Sequence, residues 1–173
     1  LQMLKTVRPQ VTESLVVPDE SRSHRFREAP FVFVAIFWLG LLLGVSLLAT
    51  TVKFQAPSLD LPTALDVGRV TFALLSKVEW VLCGVLIAAA FLSPLSQGVR
   101  LGGCAVLVAV LACQASWLLP ALDLRASQII AGATVPASNH HLYYVAAEGL
   151  KTLLLLALSV EALWTSVSSR RPA

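Results

Sequence analysis

The chain has 173 residues, of which 57% are hydrophobic and 13% charged, with a mean hydropathy of +0.78 and a formal net charge of +3. A typical soluble domain carries roughly 25% charged residues, so a water-soluble fold of this size could not cover so much apolar surface. The small positive balance comes without a basic stripe interleaved with aromatics, which argues against nucleic acid as a partner and for the lipid bilayer.

In chain order, residues 1–28 hold Pro9, Pro18 and scattered charges without a helical stripe, and read as a cytoplasmic arm. The start at Leu1 reads as that of a processed or truncated chain. Residues 31–52 then run uncharged up to Lys53. As a helix they span about 33 Å at ~1.5 Å per residue, enough to cross a hydrocarbon core of ~30 Å. The run is too long and too deep in the chain for a signal peptide, and no small-x-small cleavage site follows it. Asp60-Leu61-Pro62 has the form of a helix start, with a capping carboxylate and a first-turn proline. A helix unbroken from there to Leu92 is about 48 Å long, so only 75–95 serves as the second span and the first half stands out of the bilayer. The third span, 99–119, holds an apolar run over 101–119 interrupted only by Gln114 and Ser116, and its helix continues past Pro120 to a stop at Gly132. Residues 135–139, with Pro136, read as a loop; 142–164 form the fourth span, carrying Glu148, Lys151 and Glu161; and 168–173 are a cytoplasmic tail. The expected fold is an all-α integral membrane four-helix bundle, 29–167, whose second and third helices extend beyond the bilayer on the outer side.

Trp80, Trp117, Tyr143 and Tyr144 read as one interfacial aromatic belt and Trp164 with Phe31 as the other, whereas Trp38 fits neither. Eight Lys and Arg flank the spans on the side of the termini and Arg100, against Lys53, Arg69, Lys77 and Arg125 on the other. The positive-inside rule therefore puts both termini in the cytoplasm, and a bacterial inner membrane is the expected location.

Helices in lipid meet through close packing rather than hydrophobic drive. Gly98, Gly102, Ala105, Ala109, Ala112 and Ser116 alternate at spacings of four and three down one face of the third helix, and Gly40 with Gly44 form a GxxxG on the first. The third helix is thus the expected centre of packing, with another backbone on that stripe. Cys83, Cys104 and Cys113 lack CxxC spacing and read as small apolar residues.

The chemistry lies in polar residues toward the outer side. His141, Tyr144, Glu148 and Lys151 share a face of the fourth helix; Asp66 and Lys77 share one face of the second, and Arg69 and Glu79 another. Their heights point to ion pairs such as Lys77 with Glu148 or Glu79 with Lys151. Ionisable groups within spans cost roughly 2.5–3.5 kcal/mol each and face a partner or a water-filled cavity. Charges this close to an interface also serve simply to fix helix register, by snorkelling or pairing. The adjacent His140 and His141 point in different directions, so neither metal nor cofactor is expected, and no nucleophile, phosphate loop or catalytic constellation is visible.

Ala56-Pro57-Ser58-Leu59, followed by Val67-Gly68-Arg69-Val70-Thr71-Phe72 after a glycine-containing first span, resembles bacterial proteins of unknown function related to the transmembrane protein 205-like group. His141-Leu142-Tyr143-Tyr144 at the start of the last span is similar to the same group. The resemblance covers roughly 31–164 and implies a four-helix integral membrane protein without an assigned activity, whose eukaryotic relatives are associated with drug tolerance. Glu148 and Lys151 have no match in the family pattern.

Two functions follow as expectations. The first is a non-catalytic accessory or scaffold subunit, packed through the small-residue stripe on other membrane subunits or on itself. The alternative is a small transporter or solute-binding protein working through Asp66, Arg69, Lys77, Glu79, His141, Tyr144, Glu148 and Lys151. Paired repeats, on which alternating access commonly rests, are not visible.

Overall fold

The computed structural model describes residues 20–53, 55–93 and 96–168, with the backbone alone for 20–26. All regular structure among them is helical. Helix α1 runs Glu20–Leu42, widens into a π-helical stretch Leu43–Ala49, and closes with Thr50–Lys53. Helix α2 is Leu61–Leu92; α3 joins Gln97–Cys113, a π-helical turn Gln114–Leu118 and Leu119–Ile130; α4 is His140–Ser168. Each is long and apolar enough to cross a membrane. The chain is therefore a multi-pass membrane protein, built as an all-α bundle in which each helix packs on two neighbours in the ring α1–α2–α3–α4.

Local chemistry sets the ends. The Asp60 carboxylate accepts from Thr63 N–H at 3.1 Å and Pro62 needs no amide partner in the first turn, so α2 starts there. Pro120 has no N–H for the carbonyl one turn earlier, and its ring crowds that turn; the backbone before it opens into the wide turn at Gln114–Leu118. Gly132, at φ +80°, adopts the left-handed conformation that ends α3, with its N–H bonded to Ile129 O at 3.0 Å and Ala133 N–H to Gln128 O at 2.9 Å. At 32 and 34 residues, α2 and α3 are about 48 and 51 Å long, more than a hydrocarbon core of ~30 Å requires; the end of the bundle away from the termini is here called the loop end.

Several expectations need correction. Residues 20–28 belong to α1 rather than to an arm, and Glu28 is buried in the bundle; its charge on the inner face is what hides the helical stripe. The arm over 1–19 and the tail over 169–173 lie outside the described residues. The second span stops at Leu92, and Pro94 and Leu95 are not described. Phe31 and Tyr144 leave the aromatic belts for the interior, while Trp80, Trp117, Tyr143 and Trp164 stay exposed. The small-residue stripe is not a seam within the chain: Gly98, Gly102, Ala105, Ala109, Ala112 and Ser116 all face outward, and a side-chain carbon at Gly98 or Gly102 would meet nothing within 4 Å. Gly40 and Gly44 are equally open. The close approach falls instead at Gly103, where such a carbon would lie 2.8 Å from a Leu158 methyl of α4. Spacing identifies a stripe of small residues, but not which side of the helix faces protein and which faces lipid.

The apolar centre is a plug of interlocked side chains, among them Ala35, Leu86, Leu107, Leu111, Leu155 and Leu158. Cys83 and Cys104 are buried within it, whereas Cys113 is exposed. Both ends of this plug are polar.

Candidate functional site

On the loop-end side of the plug, Glu79 of α2 and Glu148 and Lys151 of α4 form one closed cluster. The Lys151 ammonium, fully buried, lies 2.5 Å from Glu79 Oε1 and 2.9 Å from Glu148 Oε1. Glu148 is further met by Gln114 Nε2 on Oε1 and by the Ser46 hydroxyl on Oε2, each at 2.9 Å. Trp38 Nε1 donates to Glu79 Oε1 at 3.2 Å. All four helices contribute. Both wide turns have a use here, since Ser46 sits in the π-helical stretch of α1 and Gln114 opens that of α3. Such turns occur often at functional sites because they re-aim a side chain without ending the helix. Gln114 itself is buried, and among the described residues its Oε1 has no donor.

Toward the loop end, Tyr144 is buried beside Glu148 and meets the Phe72 ring edge-on at 5.4 Å. Beyond this aromatic pair lies a separate, partly exposed rim. Arg69 binds Asp66 at 3.0 Å, Asp123 at 3.4 Å and the Ser127 hydroxyl at 2.8 Å, tying α2 to the last turns of α3. Lys53 reaches over this region, its ammonium 5.7 Å from the Phe72 ring centroid and against Gly68, where any side chain would stand in its way.

The eight expected site residues thus fall into distinct places. Glu79, Glu148 and Lys151 converge, with Tyr144 at their edge. Asp66 and Arg69 belong to the rim, about 15–20 Å farther along α2 at ~1.5 Å per residue. Lys77 and His141 are exposed, and the Lys77–Glu148 pair does not form; Glu79 with Lys151 does. The vestibule expected as one cluster is two layers divided by Phe72 and Tyr144.

A second buried network, without a sequence signal of its own, closes the termini end of the plug. Arg100, fully buried, pairs with Glu28 and with Glu161 Oε2 at 3.0 Å, bonds Ser93, and reaches Thr165 Oγ1 at 3.1 Å. Ser93 also donates to Glu28, and the guanidinium lies 4.7 Å from the Phe31 ring centroid. Arg100 reads from sequence as a turn residue reporting topology, and Glu28 as part of an arm. Only Glu161, a carboxylate inside an apolar run, is conspicuous. Two outward-opening grooves of about 630 and 660 Å³, walled mostly by apolar side chains, are lined in part by Glu28 and by Glu161.

Among the described residues, no three His, Cys, Asp or Glu side chains converge as a metal site requires. His140 instead packs edge-on against Trp117, ring centroids 5.9 Å apart. No family model matches the chain, and no curated protein or solved structure does either.

Proposed function

We propose that this is a non-catalytic membrane protein that binds and passes a small cationic solute at the Glu79–Glu148–Lys151 cluster, with both termini in the cytoplasm of a bacterial cell. One observation carries the reading: two carboxylates share a single ammonium within span depth, a formal excess of one negative charge where an unbalanced charge is costly. The Arg100 network at the other end of the plug also sets two carboxylates on one cation, but Glu161 there is partly exposed, whereas Glu79 and Glu148 are both buried. The orientation rests on the excess of Lys and Arg at the termini end, which survives discounting Arg100 because that residue is buried and paired. Kinship with the transmembrane protein 205-like group belongs to the same proposal and rests on the short motifs around Ala56, Val67 and His141.

The test is current measurement on solid-supported proteoliposomes challenged with steps of sodium, potassium, ammonium, small quaternary amines and pH. Wild-type protein is expected to give a charge movement with at least one of these, and Glu148→Gln to lose it while eluting as the same particle. Silence toward the whole panel, or currents unchanged in Glu148→Gln, refutes the reading.

A second reading, an accessory subunit on a larger membrane complex, is favoured by the stripe from Gly98 to Ser116, which faces outward with open space above Gly98 and Gly102. Native mass measurement after gentle solubilisation tests it. A monomer without co-purifying protein refutes it.

A further inference from the structure

We propose that the ligand of the Glu79–Glu148–Lys151 cluster is a proton, carried by Glu79 with Glu148 as the fixed anion. This rests on the reading that the cluster is the working site, and names what it takes.

Three observations lead there. The first is charge. With all three groups ionised the cluster is one positive charge short, and in a low-dielectric layer a carboxylate relieves that shortage by protonation rather than by standing unpaired. The second is the distribution of donors. Glu148 receives Gln114 Nε2, Ser46 Oγ and Lys151 Nζ across both of its oxygens, an environment built for an anion. Glu79 receives Lys151 and Trp38 on the same oxygen, Oε1, and among the described residues no donor reaches Oε2. A hydroxyl belongs on that second oxygen. The third is room. Lys151 is fully buried between the two carboxylates, so any ion with a radius would have to displace its ammonium, whereas a proton occupies no volume.

Gln114 Oε1 is, among the described residues, a buried acceptor without a donor in the same cluster, so the site lacks a hydrogen-bond hydrogen as well as a positive charge. Around Glu79, Trp38 on α1 is neutral, Cys83 lies a turn away on α2, and α4 presents Glu148, Lys151 and Tyr144; Ser46 on α1 and Gln114 on α3, which bond Glu148, are neutral as well. Only Glu148 and Lys151 bring charge. Proton uptake converts the Glu79 carboxylate to the acid and leaves the Glu148–Lys151 pair balanced one to one.

Infrared spectroscopy of the full chain in nanodiscs, titrated with pH, reads this directly. Wild-type protein at neutral pH is expected to show a carboxylic-acid C=O band that disappears in Glu79→Gln and is lost from wild type in alkali. Glu148→Gln should also lose it, although Glu79 is intact, because one acid then faces one base. A neutral-pH spectrum in which wild type and Glu79→Gln share the same acid band overturns the proposal. So does a band that survives in Glu79→Gln but not in Glu148→Gln, which would put the proton on the other carboxylate. Should Glu79→Gln not fold, the emission of Trp38, taken as the difference between wild type and Trp38→Phe, must titrate over the same range as the wild-type band; a flat profile overturns the assignment to Glu79. Failure here is separable from failure of the functional reading. Currents abolished by Glu148→Gln without an acid band keep the site and remove the proton; a band with unaffected currents does the reverse.

Discussion

Arg100→Leu is the sharpest perturbation of the fold. The guanidinium is fully buried and serves two carboxylates, two hydroxyls and an aromatic face, and it is the sole cation in that network among the described residues. Removing it leaves Glu28 and Glu161 facing each other with no counter-charge. Breaking a buried ion pair from one side costs about 3–5 kcal/mol. At roughly 2–4 °C per kcal/mol for a chain of this size, Tm should fall by about 6–20 °C. Arg100→Lys keeps the charge but not the planar fork, so it cannot hold Glu28, Glu161 and Thr165 together and should fall in between. The informative variant is the triple Arg100→Leu, Glu28→Leu, Glu161→Leu, since replacing a whole buried charge set by apolar residues is often neutral or stabilising. It should recover most of the loss. The assay is thermal unfolding of detergent-solubilised protein followed by far-UV circular dichroism. An Arg100→Leu variant within about 1 kcal/mol of wild type would refute the argument, because only a solvated network tolerates that loss.

Gly103→Val should destabilise by about 1–3 kcal/mol, since its side chain enters the space of Leu158, and Leu158→Ala should partly rescue it. Gly102→Ala, one residue away and open, should be neutral or gain up to about 1 kcal/mol from helix propensity; the same unfolding assay separates the two. The Asp60 carboxyl is held below its ordinary range by hydrogen bonds from Thr63. A depressed folded-state value means that the cap contributes fully above the ordinary carboxylate pKa and is lost as pH falls through the folded one. Hydrogen exchange in the first turn of α2 should therefore accelerate in acid, and Asp60→Asn should remove that dependence.

Most of the fold is legible in the sequence because the bilayer imposes a simple rule, that apolar runs of sufficient length become helices. The cap at Asp60 and the stop at Gly132 are equally local and equally readable. The site is only half legible. Spacing along α4 puts Tyr144, Glu148 and Lys151 on one face, and relative height along the spans offers Glu79 with Lys151 beside Lys77 with Glu148. What spacing cannot convey is direction around the bundle axis, so the stripe on α3 reads as a seam although it faces outward, and Lys77 reads as a partner although it points away. Trp38 fits no belt because its role, a donor to Glu79, depends on a residue 41 positions away. Glu28 and Arg100 are hidden for the same reason: each looks like an ordinary flank charge until three other helices close over it.

The wide turns at Leu43–Ala49 and Gln114–Leu118 carry a consequence for helical phase. A π-turn holds about one residue more than an α-turn, and each added residue rotates everything beyond it by about 100°. Downstream of Gln114, in the phase so set, Asp123 and Ser127 meet Arg69. Shortening the stretch by a single residue would leave α3 continuous and its composition nearly unchanged, yet turn its whole upper half to a different compass bearing and undock it from α2.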